Sequence, residues 1–394
     1  MPRRRRSGPG RPSWSSETPS NNWGTPPSSG SWRMRSTPKD SRGDPTGRPS
    51  FIFHPSSFIL VFMTFPLSPG KILCYGVLCV DQILRIPLHP DSDGHGRILS
   101  DSEHIGGEAT NTAVTLSRLG LPVRLVGNAI GEDRRGDFFL REMRRFSDLD
   151  SSGISVDYSV RTPHTVILSV SDGTRTILGH FPDMRSAPLM PKDLEGIAML
   201  TVDPFLGENA TRAAGAARER GIPILAVEVA PDHPLAACAT FVINSAGFLR
   251  RHRLGDDAEV ALGLLKAGVR GVVITRGGEG CRAFYEDGTS ASEFAFQTTL
   301  RDATGAGDAF RAGFICGLYY GWDLKDGIRF AAATAAVNCR GVGGCGGVEN
   351  LEQVQQFLRR GRPVAPQAYN APRPGVVRSR PVPSADARSA PDVA

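Results

Sequence analysis

The first apolar run with strand character is KILCYGVLCVDQILRI, residues 71–86, which predicts a buried strand, a glycine and an acid, Asp81, at the strand's exit. RILSDSEHI at 97–105 is a second extended segment. Paired glycines at 106–107 then open a helical pattern in which Ala113, Leu116 and Leu119 share one stripe and Gly120 stops it. VRLVGNAIG, 123–131, is again a strand, and EDRRGDFFLREMRRF a helix with mixed charge on its outer side. HTVILSVSDGTRTILGH, 164–180, has another pattern: two strands about a DG turn, the signature of a hairpin.

Further on, strand and helix alternate: MLTVDPF, NATRAAGAARERG, PILAVEV, FVINSAGFL, AEVALGLLKAG and GVVITRGGEGC. CRAFYEDGTSASEFAF predicts a second hairpin, and two helices close the pattern near 307–320 and 325–340. This alternation implies an α/β fold, doubly wound, with a mostly parallel sheet flanked by helices. The extended segments at 83–105 and 164–180 do not fit it and are expected to form a small β-sheet lid. No internal repeat is present. The expected organisation is one domain over 69–360, an N-terminal extension over 1–68 and a basic tail over 361–394.

Composition sharpens those boundaries. The 394 residues are 40% hydrophobic and carry a formal charge of +6. Residues 1–50 hold a net +7 and residues 358–394 a net +5, which leaves −6 for the middle. An acidic folded part argues against nucleic acid as a partner. Both ends are rich in Arg, Pro, Ser and Gly or Ala with few aliphatics, a disordered composition. FIFHPSSFILVFMTFPL, 51–67, is too short and interrupted for a membrane span and begins too late for a signal peptide. Met63 stands just ahead of the first strand, and a translation start there would place everything upstream outside the protein. Seven cysteines at scattered spacing, with no CxxC pair, point to free thiols and a cytoplasmic location.

The candidate chemistry sits where strands end. Asp81, Gly107, Asn111, Asn244, Thr275, Gly277 and the loop 302–308 all follow strands closely, and open α/β sheets bind ligands beyond the strands' carboxyl ends. DATGAGDAF, 302–310, places Gly305, Ala306 and Gly307 at a helix start, where backbone N–H groups meet the positive end of the helix dipole. Asp308 adds a carboxylate there. One reading is an acid that only stabilises a helix start. The other is an anion cradle for a transferring phosphoryl group beside a general base. No GxxxxGK[ST], HExxH or nucleophile elbow is present. GVGGCG at 341–346 follows a helix rather than a strand, so it reads as a flexible glycine turn, not a dinucleotide site. Arg311 and REMRR read as surface charge.

Two motifs decide between the readings. GGEATNTAVTLSRLG and DATGAGDAFRAGF, in this order, resemble the two signatures of the ribokinase-like, or pfkB-type, carbohydrate kinase family, and LVGNAIGEDRRGDFF, with Gly131, Asp133 and Gly136, is similar to the segment between them. The resemblance covers about residues 71–350. It implies a doubly wound domain with a β-sheet lid over a sugar, and an ATP-dependent transfer to a hydroxyl, expected to be a primary one. It implies Asp308 as catalytic base, Gly305, Ala306 and Gly307 as anion hole, and Asp81, Gly107 and Asn111 as sugar ligands. Asn244, Thr275, Gly277 and Asn338 would line the ATP site, Asp302 would lie near a monovalent cation such as K+, and Mg2+ would accompany ATP. A homodimer through the lid is the assembly implied. A nucleoside kinase of the same family and a non-catalytic sugar- or nucleotide-binding regulator are the alternatives. One position departs from the pattern: the family's N-x-x-E segment, whose Glu helps organise Mg2+, is Asn244-Ser245-Ala246-Gly247 here. Asp203 and Glu228 are the candidate replacement acids.

Overall fold

The computed structural model describes Phe65, residues 67–181 and residues 184–364. The expectations for the chain ends, for Met63 and for most of the 51–67 run lie outside the described residues.

The central sheet begins with β1 (Lys71–Gly76), which pairs in parallel with β4 (Val123–Gly127) on one side. β6 (Leu149–Asp150) extends that edge. On the other side follow β10 (Ile197–Val202), β11 (Ile224–Val227), β12 (Phe241–Ser245) and β13 (Gly271–Thr275), all parallel. An antiparallel hairpin, β14 (Cys281–Tyr285) and β15 (Ser290–Glu293), completes the nine-stranded sheet. Alternate residues of β1 enter opposite cores, Ile72 and Cys74 one, Leu73 and Tyr75 the other. The first core packs α1 (Glu108–Arg118), α2 (Arg134–Met143), α6 (Ala306–Tyr319), α7 (Leu324–Asn338) and α8 (Leu351–Arg360). The second packs α3 (Glu208–Glu219), α4 (Ala246–His252) and α5 (Asp257–Lys266). Burial on both faces explains why the strands read as continuous apolar runs.

The lid is a separate four-stranded sheet in the order β3 (Ser100–Gly106), β2 (Cys79–Ile86), β8 (His164–Val170), β9 (Arg175–His180). A two-stranded pair, β5 (Ile130–Gly131) and β7 (Val156–Asp157), lies beside it in sequence. Two details differ from the sequence reading. The run 71–86 is two strands in two sheets, so Asp81 is the third residue of lid strand β2, not the exit of β1. The change of sheet occurs at Val77 and Leu78, whose amides leave the ladder for the side chains of Asp203 and Asn128, at 2.9 and 2.8 Å. Helix α8 was not anticipated; its apolar residues Val354, Phe357 and Leu358 are only a narrow stripe among Gln, Glu and Arg.

Candidate active site

Helix α6 starts against a second glycine loop. Gly305 holds φ +70° at its N-cap and gives it no side-chain cap. A Cβ at Gly305 would collide with the backbone of Gly344, so this turn needs glycine for both conformation and space. Ala306 and Gly307 form the first turn, and Asp308 follows within it. The bare first-turn amides and the dipole favour an anion at this end.

The Asp308 carboxylate is held from two sides. Asn111 on α1 donates Nδ2 to Oδ2 at 2.9 Å, and Arg311, one turn on, donates Nη2 to Oδ1 at 2.9 Å. Arg311 is 2% exposed and also donates to the Glu108 carbonyl, so its reading as surface charge is wrong: it is the buried counter-ion of Asp308. The spacing of three was legible; burial was not, because an arginine in an apolar helix gives no sign of which face it joins. The Asn111 Oδ1 is buried without a partner. Burial pushes Asp308 above the usual carboxylate range, against the pull of Arg311 and Asn111.

Other acids converge here. Asp81 is 4% exposed; Thr165 donates to its Oδ1 at 2.6 Å and the Cys79 thiol at 3.4 Å, and burial raises its pKa. Gly106 faces this carboxyl, where a Cβ would overlap it, and Gly107, at φ +94°, passes the Val77 carbonyl equally closely. Asp203, at the exit of β10, accepts from Val77 N and Phe205 N. Glu108 and Thr165 were not singled out from sequence. Burial, then the neighbouring Asp203 and Asp308, push Glu108 up to about 8, and burial pushes Asp203 up to about 6.

A raised carboxyl pKa means the folded state holds a proton that the unfolded state has released. Its stabilisation is therefore full at low pH and is lost as pH rises toward the folded-state value. From an ordinary value of 4.5 up to about 8, Glu108 contributes a stability that declines with pH. The melting temperature should fall between these limits, and Glu108→Gln should flatten that slope; an unchanged slope in a titration of thermal unfolding would remove Glu108 from this role.

Beyond the anion loop lies a cavity of about 950 Å³, whose walls include Thr275, Gly277, Ala306, Gly307 and Ala336. This is ample for a nucleotide-sized ligand. Asn244 and Asn338 do not line it. Both are fully buried. Asn244 bonds the Val229 N–H and carbonyl at 2.9 and 2.8 Å, and Asn338 donates to the Thr304 and Gly344 carbonyls at 3.2 and 3.0 Å. They staple the loops that form the walls. Asp302, 1% exposed, accepts from Thr304 N–H and hydroxyl, from Ser169 Oγ and from Gly343 N–H, so both oxygens are engaged by the protein. The 341–346 loop is thus no free turn: it is pinned to Asp302 and Asn338 and closes against Gly305.

The donor set for Mg2+ is poor. Among the described residues no three acids, histidines or cysteines cluster as metal ligands. At Gly247 a Cβ would lie in ordinary contact, 3.4 Å, with Arg251 Nη1. Arg251 pairs with Glu228, which also accepts from Ser245 N–H at 3.0 Å. Among the described residues, then, no three-ligand side-chain cage for magnesium is present.

The comparisons agree with this geometry. The model of the pfkB family carbohydrate kinases matches residues 70–351. The 5-dehydro-2-deoxygluconokinase of Geobacillus kaustophilus is 22% identical over 325 residues, covering 75% of this chain and 95% of that protein. A solved putative ribokinase from Agrobacterium tumefaciens superposes with a TM-score of 0.67 at 24% identity, over 74% of this chain and 98% of that one. The ribokinase of Arabidopsis thaliana, solved with ribose and ATP, superposes with a TM-score of 0.62 at 18% identity, over 74% and 99%. At such identities the structures establish the ribokinase-like fold, and the family match extends over most of the chain. This chain belongs to the pfkB family of carbohydrate kinases, phosphotransferases that act on a sugar hydroxyl.

Proposed function

We propose that the protein transfers the γ-phosphoryl group of ATP to a primary hydroxyl of a monosaccharide. The observation that carries this reading is the position of Asp308: a half-buried carboxylate on the first turn of an uncapped helix, beside both the large cavity and the acids of the lid root. Asp81, Gly107 and Asn111 hold the acceptor. Carboxylate and amide oxygens accept from sugar hydroxyls, and the orphan Asn111 Oδ1 is such an acceptor. Asp308 takes the proton of the attacking hydroxyl; burial raises its pKa, which makes the carboxylate a stronger base. The amides of Gly305, Ala306 and Gly307 hold the charge of the moving group. Thr275 and Gly277 flank ATP, while Asn244 and Asn338 serve as staples. Mg2+, if it accompanies the nucleotide, would be held by the phosphates and would supply charge neutralisation there. Asp302 holds the loop by its four hydrogen bonds, and K+ has no role in this reading.

The test is ADP release from the full chain against neutral sugars, sugar acids and nucleosides. Turnover on a sugar supports the reading and names the substrate. Preference for a nucleoside replaces the acceptor class. Nucleotide binding without turnover on any acceptor makes the protein a regulator and overturns the reading.

A further inference from the structure

We propose that the C-terminal strap, residues 361–364, walls the nucleobase end of the large cavity, with Val364 as the side chain that touches the purine of ATP. The proposal rests on the kinase reading above and adds a wall to its nucleotide site.

The cavity has two kinds of wall. Arg175 from the lid, Arg250 and Arg251 from α4, and the start of α6 at Ala306 and Gly307 bring charge and bare amides. The α7 helix, the segment 295–298 and Val364 bring no charge. Ala332, Ala335 and Ala336 of α7 recur at helical spacing, so they share one face, and their methyl groups keep it flat. A nucleotide is divided in the same way, into an anionic tail and a planar base with a π-face. Phosphates held at the anion loop leave the base to the uncharged walls.

Helix α8 delivers the strap to this place. Its Phe357 packs edge-on against Phe296, ring centroids 5.9 Å apart. Gly361 N–H donates to the Phe357 carbonyl at 2.6 Å. A Cβ at Gly361 would come within 2.8 Å of both that carbonyl oxygen and the Phe296 ring, so the strap leaves the helix where only glycine has room. Gln297 N–H then donates to the Arg362 carbonyl at 2.8 Å, and Val364 N–H to the Ala295 carbonyl at 2.7 Å, an antiparallel pairing about Phe296 and Pro363. Proline is tolerated at that register because the pairing asks no N–H of it. The same segment is tied to α7, where the Thr298 hydroxyl donates to the Ala336 carbonyl at 2.9 Å. Strap, segment and helix thus form one continuous wall, and Val364, Phe296 and Ala336 all line the cavity. The family match ends at residue 351, so the strap lies beyond the residues that define the family.

The experiment titrates the full chain, as wild type, Val364→Ala and Val364→Trp, with ATP and with inorganic tripolyphosphate, which has the anionic tail and no base. Calorimetry reads affinity, and the melting temperature is recorded for each variant. The expected result is ATP binding weakened about three- to tenfold in Val364→Ala and about 30-fold or more in Val364→Trp, whose ring fills the slot. Both variants should bind tripolyphosphate within about twofold of wild type and melt unchanged. In the wild type, ATP but not tripolyphosphate should slow hydrogen exchange at the Gln297 and Val364 amides by about tenfold or more. ATP affinity within about twofold of wild type in both variants, an equal loss for ATP and tripolyphosphate, or no ATP-specific protection overturns the proposal and leaves the kinase reading intact. Should a variant melt early, or tripolyphosphate bind too weakly to measure, the exchange result on the wild type decides. Failure of the wild type to bind ATP overturns both.

Discussion

Asp308→Asn should lower kcat by about a thousandfold or more while the protein still binds ATP. General-base catalysis typically contributes about 10²–10⁴-fold, and asparagine cannot accept the hydroxyl proton. The substitution is nearly isosteric, so the Oδ1 that takes the Arg311 bond is kept. Binding should survive because Thr275, Gly277 and the first-turn amides are untouched. Calorimetric titration with ATP, set beside steady-state ADP release, checks both halves. A variant retaining a tenth of wild-type kcat would move the base elsewhere.

Gly305→Ala should damage stability and catalysis together. The residue holds φ +70°, and its Cβ would enter the Gly344 backbone. Left-handed backbone costs a non-glycine residue roughly 1 kcal/mol or more, and a clash with main chain cannot be relieved by turning a rotamer. The loss expected is about 2–4 kcal/mol, at the upper end of what single substitutions do. Because Gly344 also abuts Asn111, the displacement should reach the carboxylate that Asn111 holds. Thermal unfolding and kcat should fall in parallel. An unperturbed melt would show that the two glycine loops separate freely.

Much of this arrangement was legible in sequence because it depends on local rules. Apolar runs alternating with amphipathic ones gave the layered sheet, and the DG turn gave the lid hairpin between β8 and β9. The anion loop and Asp308 announced themselves by glycine at a helix start. What stayed hidden depends on long-range pairing. Arg311 looked solvated because its partner's burial comes from α1 packing on α6. Asn244 and Asn338 looked like ligands because an asparagine at a strand or helix end says nothing of where its amide turns; here both turn inward to main chain. Asp81 was placed one strand early, since the break at Val77 and Leu78 is made by Asp203 and Asn128, 126 and 50 residues away. The glycines of 341–346 carry no pattern at all until Asp302 and Asn338 are brought against them.

That break has a mechanical meaning. The passage from β1 into β2 is only two residues long and is clamped by Asp203, which accepts from Val77 N–H, and by Asn128, which accepts from Leu78 N–H and donates to the Leu78 carbonyl. The lid is built like a cantilever, with a fixed root at the acids and a free end at the exposed β9 strand. Bending is therefore concentrated at the outer strands, while the root, which carries Asp81, keeps its distance from Asp308. Redesign of acceptor preference can thus work on the free end, among residues 177–180, away from Arg175 and the cavity it lines.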